Sequence, residues 1–138
     1  MCIRDSVFTY TVTDGTDTDT STLTFTVTGT NDTPVAVNDS NTIDISSDTS
    51  LTVTDGASKD IVGNDTDADS SATLTATEIR TGATEGSGTS GTIGQSLTGT
   101  YGSITLNANG SYTYNVNSGL SDTLDKGQIV YELSLIHI

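Results

Sequence analysis

The chain has 138 residues, of which 18 are acidic and 4 are basic, and its formal net charge is −14. Contacts with phosphate depend on lysine and arginine, so this charge balance excludes ordinary nucleic-acid binding and argues against docking on anionic lipid. No run of about 18 apolar residues is present to insert into a membrane, and the single cysteine, Cys2, cannot form an intrachain disulfide.

Threonine is the most frequent residue, and it alternates with apolar residues over long runs. Hydrophobic residues make up 32% of the chain, below the usual content of about 45–50% for a globular domain. Disordered chains are rich in Pro, Glu, Lys and Gln, whereas this chain has one proline. Because threonine is β-branched and favours strands, the composition predicts a thin all-β fold.

The first two elements form a predicted hairpin. Val7–Thr13 and Thr20–Thr28 each alternate apolar residues with threonine, and an Asp-Gly turn follows the first run. Period-two alternation gives each strand one apolar face and one threonine face. The aromatic residues Phe8, Tyr10 and Phe25 are therefore expected to anchor a core.

A junction follows the hairpin, because the only proline, Pro34, cannot donate a hydrogen bond to a strand ladder. Beyond it the pattern predicts several short strands and one long Gly- and Ser-rich loop. The predicted strands lie around Ile43–Ile45, Leu51–Val53 and Leu74–Ile79, and the loop covers Thr81–Ser96.

The last patterned section is a second predicted hairpin. Thr100–Asn107 and Ser111–Val116 flank an Asn-Gly pair, which is the strongest short hairpin signal. Ile104 and Leu106 are expected to face inward. No stretch has an apolar period of about 3.6 over a helix length, so the whole pattern predicts an antiparallel β-sandwich or barrel.

The two ends differ from the interior. Residues 1–6 and 133–138 contain no threonine, yet they contain the only Met, Cys and His. Both segments resemble translated adapter sequence, and we interpret them as non-native tails. Cys2 and His137 are therefore assigned no chemistry.

Five segments together resemble VCBS repeats and cadherin-like bacterial repeats. FTYTVTDG at Phe8–Gly15 and TLTFTVTGTND at Thr22–Asp32 resemble the closing hairpin of a VCBS repeat. Gly99–Asn117 resembles the middle of the same repeat. VNDSNTI at Val37–Ile43 and VGNDTDAD at Val62–Asp69 resemble the opening strands.

The order of these motifs implies two pieces of a tandem array. Residues 7–32 are the closing hairpin of a preceding repeat, and residues 33–132 are one repeat truncated before its own closing hairpin. The resemblance implies an Ig-like or cadherin-like antiparallel β-sandwich with Greek-key connections. The hypothesis that the hairpin completes the truncated repeat in cis is left open.

The same resemblance implies a role and a location. Such repeats belong to very large secreted or surface-anchored bacterial adhesins of the RTX type, with roles in adhesion and biofilm. The implied partners are neighbouring repeats of the same chain and a polysaccharide or protein of a cell surface or matrix. Extracellular location is part of this expectation.

The best candidate for a metal site is an acidic loop, and the metal that it suits is calcium. Alternate residues of an extended segment point the same way, so these carboxylates are expected to converge. Calcium takes six to eight oxygen ligands and tolerates irregular geometry. The loop lacks the glycine and the bidentate glutamate of an EF-hand, and a solvated turn is the alternative interpretation. The candidate ligands are Asn64, Asp65, Asp67 and Asp69.

Two weaker calcium candidates lie elsewhere. Aspartates are also what a turn favours, and the junction lacks the full acidic motif of a cadherin linker. The first set, in the turn of the first hairpin, is Asp14, Asp17 and Asp19. The second set, at the junction, is Asn31, Asp32, Asn38 and Asp39.

Catalytic constellations are missing from the sequence. The only histidine lies in a tail, so no Ser–His pair can be built, and an aspartate pair for glycoside hydrolysis lacks an aromatic-lined groove. We therefore expect a non-enzymatic structural and adhesive spacer repeat, stiffened by calcium. The alternatives are a carbohydrate-binding β-sandwich module and an accessory repeat of an exported hydrolase.

Overall fold

The computed structural model describes residues 3–138. Met1 and Cys2, which belong to the predicted amino-terminal tail, lie outside these residues. Strand accounts for 37% of the chain and no α-helix is present in the described part. The strands are β1 (Ile3–Thr13), β2 (Thr18–Thr28), β3 (Ser50–Val53), β4 (Glu78–Thr81), β5 (Ser90–Gly91), β6 (Ser96–Thr98), β7 (Gly102–Leu106), β8 (Tyr112–Val116) and β9 (Ser134–His137).

All strand pairs are antiparallel. The predicted all-β antiparallel class is therefore confirmed, and the sheets are consistent with a β-sandwich. The Ig-like Greek-key topology stays a prediction. The chain divides into two compact units, Met1–Asp32 and Thr33–Ile138.

The first unit is the predicted hairpin. β1 and β2 pair along their whole length, with Phe8 opposite Leu23 and Thr9 opposite Thr22. The turn is closed by Asp14, and Gly15 has a φ of 99°, in the left-handed region that glycine adopts without strain. Local turn chemistry and period-two alternation are thus sufficient to specify this element.

The apolar face of this hairpin is not a core. Phe8 is 57% exposed, Tyr10 49% and Phe25 52%. The rings of Phe8 and Phe25 meet edge-on, with their centroids 6.0 Å apart. The expectation that these aromatic residues anchor a core is wrong, because no second sheet in this unit covers the ribbon.

The second unit contains two sheets. One has four strands in the order β3-β8-β7-β6, and the other has three in the order β5-β4-β9. Their small core lies among the strands and includes Ile79 at 1% exposure and Leu106 at 0%. The buried apolar residues are Val53, Ala76, Ile79, Leu97, Leu106 and Tyr112.

The central hairpin of this unit agrees with the pattern. β7 and β8 pair with Leu106 opposite Tyr112, and the Asn-Gly turn closes through a hydrogen bond from the Gly110 N–H to the Asn107 carbonyl, 3.0 Å. Gly110 has a φ of 87°. Leu106 is inward as predicted, while Ile104 is partly buried against the core.

Other predicted strands differ from the structure. The Ile43–Ile45 region is a turn, because the Asp44 carbonyl accepts hydrogen bonds from the Ser47 and Asp48 N–H groups. Leu74 to Thr77 has no strand pairing, and β4 begins only at Glu78. The predicted long loop contains the short strand β5. Local hydrogen bonds thus replaced the first predicted strand, whereas pairing with β9 and β4 decided where β4 and β5 lie.

The carboxy-terminal segment forms a strand. β9 pairs with β4, with Ile136 opposite Ile79, and Ile136 packs against the core. The interpretation of residues 133–138 as a non-native tail concerns their origin and stays a prediction. Whatever their origin, they complete the three-stranded sheet.

Candidate cation site

The junction segment, residues 33–40, lies against the acidic loop of the second unit. Val35 and Thr66 form an isolated antiparallel bridge: the Val35 N–H donates to the Thr66 carbonyl at 2.7 Å, and the Thr66 N–H donates back at 3.0 Å. Pro34 immediately precedes this bridge, where its extended backbone fits and its missing N–H is not required. The bridge therefore fixes the register between the junction segment and the acidic loop.

Two side chains continue the contact beyond the bridge. The Asp65 carboxylate accepts a hydrogen bond of 2.7 Å from the Val37 N–H. The Asn64 side-chain amide donates to the Asp39 carboxylate at 3.0 Å. The structure thus brings Asn64 and Asp65, from the best predicted set, beside Asp39 from a set predicted separately.

Asp39 is in an unfavourable electrostatic environment for a carboxylate. Asp39 lies at the surface, and its partial desolvation by neighbouring segments raises its pKa above the ordinary value. The negative charge of Asp65 raises the pKa further, and Asp60 acts in the same direction. The hydrogen bond from Asn64 and the charge of Lys59, whose ammonium donates to the Ser40 carbonyl at 2.9 Å, lower it. The net effect is a raised pKa, because desolvation and the like charges outweigh these two contacts.

Asp60 has a structural role next to this cluster. It is only 2% exposed. Its two carboxylate oxygens accept hydrogen bonds from the Gly56 N–H at 2.8 Å and the Val62 N–H at 2.9 Å. A buried carboxylate is stable when main-chain donors satisfy it in this way. Asp60 therefore stabilises its own loop, and both of its carboxylate oxygens are engaged by main-chain donors of that loop.

Asp67 and Asp69 do not continue the expected convergence. The Asp67 carboxylate accepts a hydrogen bond of 2.7 Å from the Asp69 N–H, which is an Asx turn, and the chain bends at Ala68 and Asp69. Asp69 makes a further interaction of its own. Within residues 3–138, no three Asp, Glu, His or Cys side chains are grouped so as to hold a metal ion. Calcium at the acidic loop stays a prediction.

The aspartates of the first hairpin turn serve that turn. The Asp14 carboxylate accepts hydrogen bonds from the Thr16 and Asp17 N–H groups, both at 2.9 Å. These bonds, that from Asp17 first, lower the pKa of Asp14. Asp19 accepts a hydrogen bond of 2.8 Å from the Thr20 N–H. The Asp14 and Asp19 carboxylates thus have local main-chain partners, whereas Asp17 takes part in the turn through its main chain, whose carbonyl accepts a hydrogen bond of 2.9 Å from the Thr13 hydroxyl.

The predicted junction set is divided between the two units. Asn31 and Asp32 belong to the first unit, where the Asn31 amide donates to the Asp32 carbonyl at 2.6 Å. Asn38 and Asp39 belong to the second unit. Asp39 belongs to the cluster described above.

His137, which the sequence left without a role, lies in an acidic environment on β9. Its Nε2 is 2.7 Å from a Glu85 carboxylate oxygen, and its Nδ1 is 3.8 Å from Glu78. Glu78 also accepts a hydrogen bond of 2.8 Å from Arg80. These contacts hold β9 beside β4 and the following loop.

Sequence reasoning missed a carboxylate held by main-chain donors. Glu132 accepts hydrogen bonds from the Thr100 N–H at 3.1 Å, the Tyr101 N–H at 2.7 Å and the Tyr114 hydroxyl at 3.4 Å. Gly99 leaves the space that the carboxylate fills. Burial and then the charge of Glu132 raise the pKa of Tyr114 to about 12. The available signal in the sequence was Gly99, which leaves room beside the Thr100 and Tyr101 N–H groups. The carboxylate that fills this room comes from a residue more than thirty positions later in the chain.

These features define an all-β antiparallel protein with an acidic loop tied to the segment that leads into its second unit. Comparison with models of known families, with curated proteins and with solved structures finds no match to this chain. Among the described residues, no helix has the length and apolar character needed to cross a membrane.

Proposed function

We propose that this chain is a non-enzymatic structural and adhesive spacer repeat of a large secreted or surface-anchored bacterial protein, similar to VCBS and cadherin-like repeats, and that calcium stiffens it. The observation that carries the proposal is the juxtaposition of Asp39 and Asp65 where the chain enters the second unit. A spacer transmits force along the chain, so the junction segment is the place where a stiffening ion has the largest mechanical effect.

The physical reason for a cation is the unfavourable state of Asp39. Its raised pKa reflects partial desolvation and the neighbouring charge of Asp65, so the two carboxylates repel each other when both are ionised. A calcium ion would replace this repulsion by attraction to both carboxylates. The Asn64 amide oxygen, main-chain carbonyls and water would supply the remaining oxygen ligands.

Calcium would also reduce the freedom of the junction segment. In its first part this segment is held by the two main-chain bonds of the Val35–Thr66 bridge and by the bond from Val37 to Asp65. A metal ion bound by both Asp39 and Asp65 would add a further link between the junction segment and the acidic loop, several residues beyond the Val35–Thr66 bridge. Extracellular calcium modules bind with dissociation constants of about 10⁻⁴–10⁻³ M, so the site would fill outside the cell and empty inside it.

Thermal unfolding of the full chain, followed by circular dichroism, tests this proposal. We expect the melting temperature of the second unit to rise in about 5 mM calcium relative to a chelator, since that concentration exceeds the expected dissociation constant. The double variant Asp39→Asn with Asp65→Asn should lose this rise. The matched control is Asp55→Asn, which removes one charge from an exposed turn of the same unit.

The control variant should keep the calcium response of the wild type. Equal melting temperatures with calcium and with chelator would contradict the calcium proposal. A response that survives in the double variant would place the ion elsewhere and contradict the assignment to Asp39 and Asp65.

A further inference from the structure

The first hairpin presents a long apolar face that its own unit leaves open. Pairing in register places six large apolar side chains and Asp19 on one face, and nine threonines with Val7 on the other. A two-stranded ribbon is at best marginally stable alone in water, so this face needs a cover. Its six large apolar residues are between 48% and 66% exposed: Phe8, Tyr10, Val12, Leu23, Phe25 and Val27.

The register gives this face a diagonal pattern of large and small residues. Phe25 on β2 is opposite Ser6 on β1, whereas Tyr10 on β1 is opposite Ser21 on β2. Between these rows lies the pair Phe8 and Leu23. Each aromatic residue of the two outer rows therefore has a small residue beside it.

This pattern is complementary to itself. When two such faces pack with a two-fold axis in the plane between them, either along or across the strands, the central Phe8 and Leu23 rows meet. Each outer aromatic residue then lies over a serine of the other copy. Facing positions that alternate large and small are what allow two layers to interdigitate, and a two-fold interface requires a self-complementary patch.

The available area is sufficient for a weak dimer. Aromatic side chains bury about 150–250 Å² each, so three that are half exposed leave roughly 300 Å², and the aliphatic residues bring the total to on the order of 500 Å² per copy. Two faces would bury about 1,000 Å², the lower limit for a specific interface. The face is mainly apolar, with Asp19 opposite Val12 at the end nearest the turn, so it suits an apolar partner better than a charged one.

We infer that this hairpin face is a homodimer interface, and that its occupant is the same face of a second copy of the chain. The inference does not depend on calcium, because it uses no residue of the acidic loop.

Sedimentation velocity of the full chain tests the inference, over concentrations of about 1 µM to about 1 mM that suit an interface of this size. We expect a monomer–dimer equilibrium, unchanged by a calcium chelator. Phe25→Asp buries a charge in the interface and should weaken dimerisation at least tenfold. Its matched control, Thr24→Asp, adds the same charge to the neighbouring residue on the threonine face and should leave the dimer intact.

A second variant guards against unfolding of the hairpin. Ser21→Lys keeps all six apolar side chains but fills one hollow with a long charged chain, and it should also weaken dimerisation at least tenfold. Hydrogen exchange of the β1 and β2 amides shows whether the hairpin persists in each variant.

Three results would overturn the inference. One is a wild-type chain that stays monomeric at about 1 mM. In that case something other than a second copy would cover the face, such as a sheet of a neighbouring domain. Another is equal weakening by Thr24→Asp and Phe25→Asp. The third is a dimer unaffected by Ser21→Lys.

Discussion

The Asp60 carboxylate lies directly against Gly110, in the space where a side chain at position 110 would begin. The Ile61 N–H also donates to the Gly110 carbonyl at 3.2 Å. Glycine at this turn therefore satisfies two requirements at once. Its φ of 87° is required by the hairpin turn, and its missing Cβ makes room for a buried carboxylate from a loop fifty residues earlier.

Gly110→Ala should destabilise the second unit by about 2–4 kcal/mol. This figure adds the cost of holding alanine at a positive φ to the cost of displacing the buried Asp60 carboxylate. Gly127→Ala is the matched control, because Gly127 has a φ of 84° but no atom within 4 Å of its missing Cβ. The control should cost only about 1 kcal/mol. Urea unfolding measures both, and equal losses would show that Asp60 relaxes freely.

Ile136→Ala should cost about 1–3 kcal/mol, because Ile136 packs against the core beside Ile79 and a truncation there leaves a cavity. Leu133→Ala is the control. Leu133 is 59% exposed, so its loss should change the unfolding free energy by less than about 0.5 kcal/mol. If deleting residues 134–138 left urea unfolding unchanged, β9 would contribute nothing to the fold.

Glu132→Gln should lower the pKa of Tyr114. The wild-type value is raised to about 12 by burial first and by Glu132 second. Glutamine removes the charge and leaves the burial, so the variant pKa should fall yet remain above the ordinary value of 10.0. Alkaline titration of tyrosinate absorbance measures it, with Tyr114→Phe used to identify the signal. An unchanged titration would mean that Glu132 is not in contact with Tyr114.

The same shift makes alkaline stability depend on Tyr114. The folded state holds the phenol proton more tightly than the unfolded state, so this contribution is present below pH 10.0 and is lost as the pH rises to about 12. In Tyr114→Phe the corresponding fall in unfolding free energy should be absent. The prediction would be contradicted if the difference in unfolding free energy between the wild type and Tyr114→Phe stayed the same across this pH range.

Asp39→Asn should stabilise the chain near neutral pH when calcium is removed. The pKa of Asp39 is raised, so its favourable contribution is present below the ordinary value of 3.8 and is lost as the pH rises through the raised value. Asparagine carries no charge at any of these pH values. The melting temperature of the variant relative to the wild type should therefore increase from acid to neutral pH in a chelator.

In calcium the wild type should instead melt at a higher temperature than Asp39→Asn, because the wild type gains a bound ion and the variant has lost a ligand for it. Asp55→Asn serves as the control, and its difference from the wild type should vary little over the same pH range. A melting difference for Asp39→Asn that is independent of pH would show that Asp39 is not destabilised by its surroundings.

The two hairpins could be predicted from sequence because their information is local. Alternation of threonine with apolar residues specifies β1 and β2, and the pair Asn109 and Gly110 specifies the β7–β8 turn. The strand expected at Ile43–Ile45 was wrong, because the Asp44 turn satisfies that backbone locally. The candidate site was predicted only in part: Asp65 and Asp39 were each named, but their proximity depends on the Val35–Thr66 bridge.

The sequence by itself determined the all-β class, the acidic character and the turns of the two hairpins, because alternation and turn chemistry act over a few residues. Tertiary structure alone decided which distant segments meet. It places Asp60 against Gly110 and the Glu132 carboxylate against the main-chain N–H groups of the β6–β7 turn. It also pairs β9 with β4 beside Ile79. Burial, close approach and the field of a neighbouring charge depend on distances between segments far apart in the chain. Those distances exist only when the sheets have formed.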